Sequence, residues 1–284
     1  FFTCFHFRFK SPAVVRDRED EVSGSMAEID GDEGGPCVFD GVGDGLRGDH
    51  HGLRFIEQEL SKDYDTINID LPGYGDTPEL KDLSLDGYSD WLYDLVKKLP
   101  QKPVIIGHSM GSIVASHFVA KYPETVTDTL VLHSPIFRKK TKSILDTTTY
   151  MALKTALTPF TEKNKHKILA SPKVSWTISH FLTSDKTKQH MIDQEHLTYS
   201  GNFSSAKSLL SDIKISSTKT TLLPKNKHIL IIIGKNDQLT SPKLASKYAD
   251  KNQSIFLEID RAGHLINYET PIIIAEKTKS FLES

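Results

Sequence analysis

Three residues of the types needed for nucleophilic catalysis stand far apart in the chain: Ser109, Asp237 and His264. Ser109 lies in Gly107-His108-Ser109-Met110-Gly111, which fits the pattern G-x-S-x-G. Small flanking residues allow a turn too tight for larger side chains, so the serine takes strained backbone angles and its hydroxyl stands clear of the preceding strand. A hydroxyl is a poor nucleophile until a base removes its proton, and that base needs an acid to fix its tautomer. Among 12 histidines, His264 in Arg261-Ala262-Gly263-His264 follows an apolar run, as does Asp237 in Gly234-Lys235-Asn236-Asp237. The separations are 128 residues from Ser109 to Asp237 and 27 more to His264. Such a set attacks an acyl carbon. Asp212 is a poor substitute for the acid.

The neighbouring pattern supplies the elements that must hold these groups. Val104-Ile105-Ile106 reads as a buried strand and Met110 to Lys121 as a helix stopped by Pro123, which is the strand-turn-helix context that the serine motif requires. Thr129 to Leu132, His228 to Ile233 and Ile255 to Ile259 are further strands, and Pro271 to Phe281 suits a closing helix. Earlier, Leu53, Phe55, Ile56 and Leu60 mark a short helix, Ile67-Asn68-Ile69 a strand, and Trp91 to Leu99 a helix. This alternation predicts an α/β fold, a mostly parallel doubly wound sheet with helices on both faces.

Composition bounds the remainder. With 284 residues, 38% of them hydrophobic, the chain can bury a sizeable core. A net charge of −2 gives no global attraction to nucleic acid, so no nucleic-acid partner is expected. No run reaches the ~18 apolar residues of a membrane span, so no stable membrane insertion is expected. Cys4 and Cys37 form neither a disulfide framework nor a zinc site, and a reducing, cytoplasmic setting is the default. Phe1 to Lys10 lack the features of a secretion signal. His50-His51 suits a surface or pocket-rim role better than metal binding, because adjacent side chains diverge.

The stretch from about Asp49 onward resembles the α/β-hydrolase fold family. The resemblance rests on the serine motif, on Asp70-Leu71-Pro72-Gly73-Tyr74-Gly75-Asp76-Thr77, on Gly234 to Asp237, and on Gly263-His264 ahead of Tyr268-Glu269-Thr270-Pro271. It implies a core of residues 36–135 and 228–284 and a helical cap over 136–227; the acidic, Gly- and Asp-rich composition of the start instead marks 1–35 as a poorly ordered or edge segment. The cap stretch is basic, with 16 Lys+Arg against 6 Asp+Glu over 138–227, and Met151, Leu153, Phe160, Trp176, Phe181 and Leu182 are candidates for its apolar inner surface.

The resemblance also implies an oxyanion hole. One donor is the Met110 amide, and the other comes from a loop that in the family reads His-Gly. Here that place is Asp44-Gly45-Leu46-Arg47-Gly48, with Leu46 the second donor. Asp44 replaces the histidine, and a carboxylate there opposes a developing negative charge, so either it points away or the hole is weakened. Alternatively, residues 1–45 are not this region's native sequence. The preceding Cys37 to Gly43 holds too much glycine and aspartate for a central strand.

The reaction expected is hydrolysis of a small or medium acyl substrate, a carboxylic ester foremost, through an acyl-enzyme, with no cofactor and no metal. Carbon–carbon bond hydrolysis, lysophospholipase and aminopeptidase activities use the same triad and stay open, as does a non-catalytic ligand-binding homologue. Relatives that open epoxides or remove halides carry aspartate at the elbow, so Ser109 argues against those reactions. Oligomeric state is not readable.

Overall fold

Apolar side chains alternate along the strands and so point to two faces of one sheet, each of which needs a cover. The computed structural model describes residues 37–44, 50–138, 171–199 and 205–284, and the expected N-terminal segment 1–35 lies outside them. Six strands, β1 (Cys37–Asp44), β2 (Asp65–Thr66), β3 (Val104–His108), β4 (Thr129–His133), β5 (His228–Gly234) and β6 (Ile255–Ile259), form one sheet in the order β2-β1-β3-β4-β5-β6. Every pairing among the described residues is parallel.

Two helical layers cover the faces. Ile105, Leu130, Leu132, Ile229, Ile231 and Ile233 pack under α2 (Leu85–Val96), α3 (Met110–Lys121) and a later helix, Pro242–Asn252. Val104, Ile106, Val131, Leu230 and Ile232 pack under α1 (Arg54–Leu60) and the closing helix Pro271–Leu282. Each such fully buried aliphatic side chain is worth about 1.5–3 kcal/mol. The result is the expected doubly wound α/β fold.

Between β4 and β5 the described residues hold three helices and no strand: α4 (Pro172–Leu182), α5 (Gln189–Tyr199) and α6 (Ala206–Thr218). The chain then continues through α7 (Pro242–Asn252), the short α8 (Ile266–Glu269) and α9 (Pro271–Leu282). Leu182 packs with Ile192, Leu265 and Tyr268, so this insertion leans on the core near His264. Trp176 and Phe181 are instead 52% and 56% exposed, because the inward side of α4 carries Ser179 and Leu182. Met151, Leu153 and Phe160 lie outside the described residues. Among the described residues, no helix is long and apolar enough to cross a membrane.

Two local expectations are corrected. Cys37 to Gly43 does form an interior strand; the register against β3 shifts between Asp40 and Val42 and again between Val42 and Asp44, and these irregularities absorb Gly41 and Gly43. The early strand is only Asp65–Thr66, not Ile67 to Ile69. There the polar groups serve the neighbouring segment instead: Asn68 Nδ2 donates to the His50 carbonyl at 2.8 Å, and Asp70 accepts from the His50 amide at 2.6 Å.

Candidate active site

The strand order reverses between β1 and β3, and the carboxyl ends of parallel strands at such a switch point form a natural crevice. β3 ends there at His108, and the chain turns at once into α3. Ser109 occupies that turn with φ 51° and ψ −121°, a left-handed conformation that costs a non-glycine residue on the order of 1–3 kcal/mol. The turn is held by the Ser109 amide, which donates to the His133 carbonyl on β4 at 3.0 Å. Gly107 is required for close approach: a Cβ there would lie 2.9 Å from Ala115 Cβ and from the Gly111 carbonyl oxygen.

Two other strand ends deliver the partners. His264 follows β6, and its Nε2 lies 2.7 Å from Ser109 Oγ. Asp237 follows β5, and its Oδ2 accepts from His264 Nδ1 at 2.8 Å. Serine, imidazole and carboxylate thus form one continuous chain of hydrogen bonds, and the residues are buried, at 5%, 1% and 9% exposure. In a neutral imidazole whose Nδ1–H is held by Asp237, Nε2 carries the free lone pair and faces the hydroxyl. The arrangement can withdraw the Ser109 proton.

Met110 is the first residue of α3, so its N–H has no carbonyl one turn back inside the helix, and the positive end of the helix dipole lies beside Ser109. Leu46 lies outside the described residues. Asp44 is placed by its backbone, which pairs with His108 at the end of β3. Among the described residues, no group of three or more His, Cys, Asp and Glu side chains could hold a metal ion.

The remaining candidates fall elsewhere. His50 Nδ1 lies 2.9 Å from Asp70 Oδ1, and Asp70 Oδ2 accepts from the Asp76 amide at 3.1 Å, so this carboxylate organises the Asp70 to Thr77 loop. Asp212 is buried on α6 beside the hydroxyls of Tyr88 and Tyr74, whereas the carboxylate that meets His264 is that of Asp237. Burial pushes its carboxyl up to about 7.

Further groups support the site, most of them without a signal in the sequence. His108 Nε2 lies 3.2 Å from the His264 carbonyl oxygen, so the residue before the nucleophile holds the histidine loop. His133, paired in register with His108, is fully buried, and desolvation depresses its pKa to about 3. It is therefore neutral near the site. Glu269 is 4% exposed and accepts from three backbone amides. Only its place in the Tyr268 to Pro271 motif hinted at a role.

The described strands form a parallel, doubly wound sheet that carries this serine turn, and the profile of the alpha/beta hydrolase fold matches residues 44–271. The chain belongs to this family. It is 22% identical over 238 residues to the (E)-2-((N-methylformamido)methylene)succinate hydrolase of Acinetobacter baylyi, covering 79% of this chain and 82% of that one. Among solved structures it resembles a thermophilic esterase from Thermogutta terrifontis, with TM-score 0.65, 20% identity and coverage of 87% and 88% of the two chains. It also resembles a serine hydrolase involved in carbazole degradation, with TM-score 0.67, 20% identity and coverage of 88% and 92%.

Proposed function

We propose that this hydrolase is a serine enzyme that cleaves a small or medium acyl substrate, a carboxylic ester foremost, through an acyl-enzyme. The observation that carries the reading is the chain Ser109 Oγ, His264 Nε2, His264 Nδ1 and Asp237 Oδ2, with steps of 2.7 and 2.8 Å. Ser109 Oγ attacks the carbonyl carbon while its proton passes to Nε2, and the imidazolium is stabilised by Asp237. The oxyanion is met by the Met110 amide, with Leu46 assigned as the second donor. Collapse breaks the bond to the leaving group, which takes the proton from His264. Water then repeats the sequence and releases the acid.

Residues 136–227 are assigned as a cap that excludes water, in support of which α4, α5 and α6 fall within this span. The names of the related esterase and serine hydrolase agree with this chemistry. We place the enzyme in the cytoplasm, on its sparse cysteines, with a small-molecule substrate as its partner. A fluorophosphonate probe tests the nucleophile: it labels the wild type and not Ser109→Ala. An unlabelled wild type overturns the assignment.

A further inference from the structure

The carboxylate of Glu269 joins two segments that the sequence keeps apart. Its Oε2 accepts from the Gly263 amide at 2.6 Å, the residue just before His264. Its Oε1 accepts from the consecutive amides of Ser184 and Asp185, both at 2.6 Å, just beyond the end of α4. The next amide of the histidine loop, that of His264 itself, donates to the Leu182 carbonyl at 2.9 Å. The acid loop enters the same knot, because Asn236 Nδ2 donates to Ser184 Oγ at 2.8 Å and the Asn236 amide to the Ala262 carbonyl at 2.9 Å.

We infer that Glu269 is a positioning residue for His264, a clamp that aligns the base only when the end of α4 is seated against the core. The inference rests on the assignment of His264 as the base. Three facts support a clamp over an ordinary buried acid. The carboxylate makes no ion pair among its three bonds, so its charge is spent wholly on backbone amides. Those amides belong to the histidine loop and the insertion, not to its own helix α8. Removing it leaves the buried Gly263 N–H without an acceptor, a cost of about 1–3 kcal/mol, and takes the acceptor from the half-buried Ser184 and Asp185 amides as well.

Chemistry also dictates which substitution is informative. Three donors converge on two acceptor oxygens, so only the carboxylate satisfies them all. Glutamine has nearly the same shape but replaces one oxygen by NH2. Whichever way it turns, a donor faces a donor at one of the two segments. The histidine loop or the insertion must then shift, and a displacement of about 1 Å costs on the order of 100-fold in rate.

The test is the rate of fluorophosphonate labelling of Ser109 in wild type and Glu269→Gln, measured from pH 5 to 9 well below both melting temperatures. The expected result is a folded variant labelled about 100-fold more slowly. Turnover of an ester falls in kcat with KM little changed, because misalignment of the base acts on the chemical step. Equal rates, with only a lowered melting temperature, make Glu269 a structural brace and overturn the inference alone. An unlabelled wild type overturns the base assignment and this inference with it. Should Glu269→Gln fail to fold, Asn236→Ala loosens the same knot from its exposed side. Slower labelling at unchanged melting temperature then supports the clamp, and an unchanged rate overturns it.

Discussion

Asp237 divides its two oxygens between the His264 ring and its own chain. Oδ2 takes the imidazole at 2.8 Å, while Oδ1 accepts from the Leu239 and Thr240 amides at 2.7 and 2.9 Å. The local turn therefore fixes the carboxylate plane before the histidine arrives. The orientation is built into the loop after β5.

That division makes Asp237→Asn a discriminating variant. The asparagine oxygen keeps the two amide bonds, so its NH2 must face His264 Nδ1 and stabilise the wrong tautomer. Activity is expected to fall on the order of 10⁴-fold with little change in melting temperature. Steady-state kinetics beside a thermal melt checks this, and an undiminished rate moves the acid elsewhere.

Gly234 joins β5 to this loop under the histidine loop. A Cβ at Gly234 would lie 2.1 Å from the Gly263 carbonyl oxygen and 2.5 Å from that of Ala262, both of them backbone atoms. Gly234→Ala must push the His264 loop away from the sheet. The expected cost is about 1–3 kcal/mol in stability and on the order of 100-fold in rate. Denaturant unfolding and probe labelling measure the two separately, and a variant unaffected in both contradicts the close packing.

The parts of this site that were readable in sequence are those whose chemistry is carried by local order. Ser109 announces itself through the glycines around it, and the buried strands through uninterrupted Val, Ile and Leu. Asp237 and His264 could be placed because each follows such a strand. Glu269 could not, because its partners are backbone amides, two of them about 85 residues away, and amides leave no trace in residue type. β1 was misread for the opposite reason. Its glycines and aspartates speak against a central strand locally, while the register shifts that tolerate them exist only against β3.

Asp212 gives the fold a pH dependence of unusual sign. It sits buried on α6 against Tyr88 and Tyr74, with Glu79 the next acid facing Tyr88, and burial raises its pKa to about 7. The unfolded chain releases this proton near the ordinary carboxylate value and the folded chain holds it to about 7, so stability falls as pH rises between the two. Asp212→Asn removes the titration. The variant is expected to gain on wild type at pH 8, by an upper limit on the order of 4 kcal/mol, and to gain little at pH 4. Melts at both pH values test this, and an equal shift at each rejects it.

His133 acts in the opposite direction over an overlapping window. Folded, it stays neutral until about pH 3, whereas unfolded imidazole takes a proton near 6.5, so acidification below 6.5 favours unfolding. Between pH 4 and 6.5 the two buried groups oppose each other, and wild-type stability should vary less there than either group alone requires. Single variants uncover the hidden slopes. Asp212→Asn should lose stability more steeply on acidification than wild type, and His133→Phe less steeply. Chemical denaturation across that interval measures both slopes. Parallel curves for all three proteins would mean that neither group titrates where its burial places it.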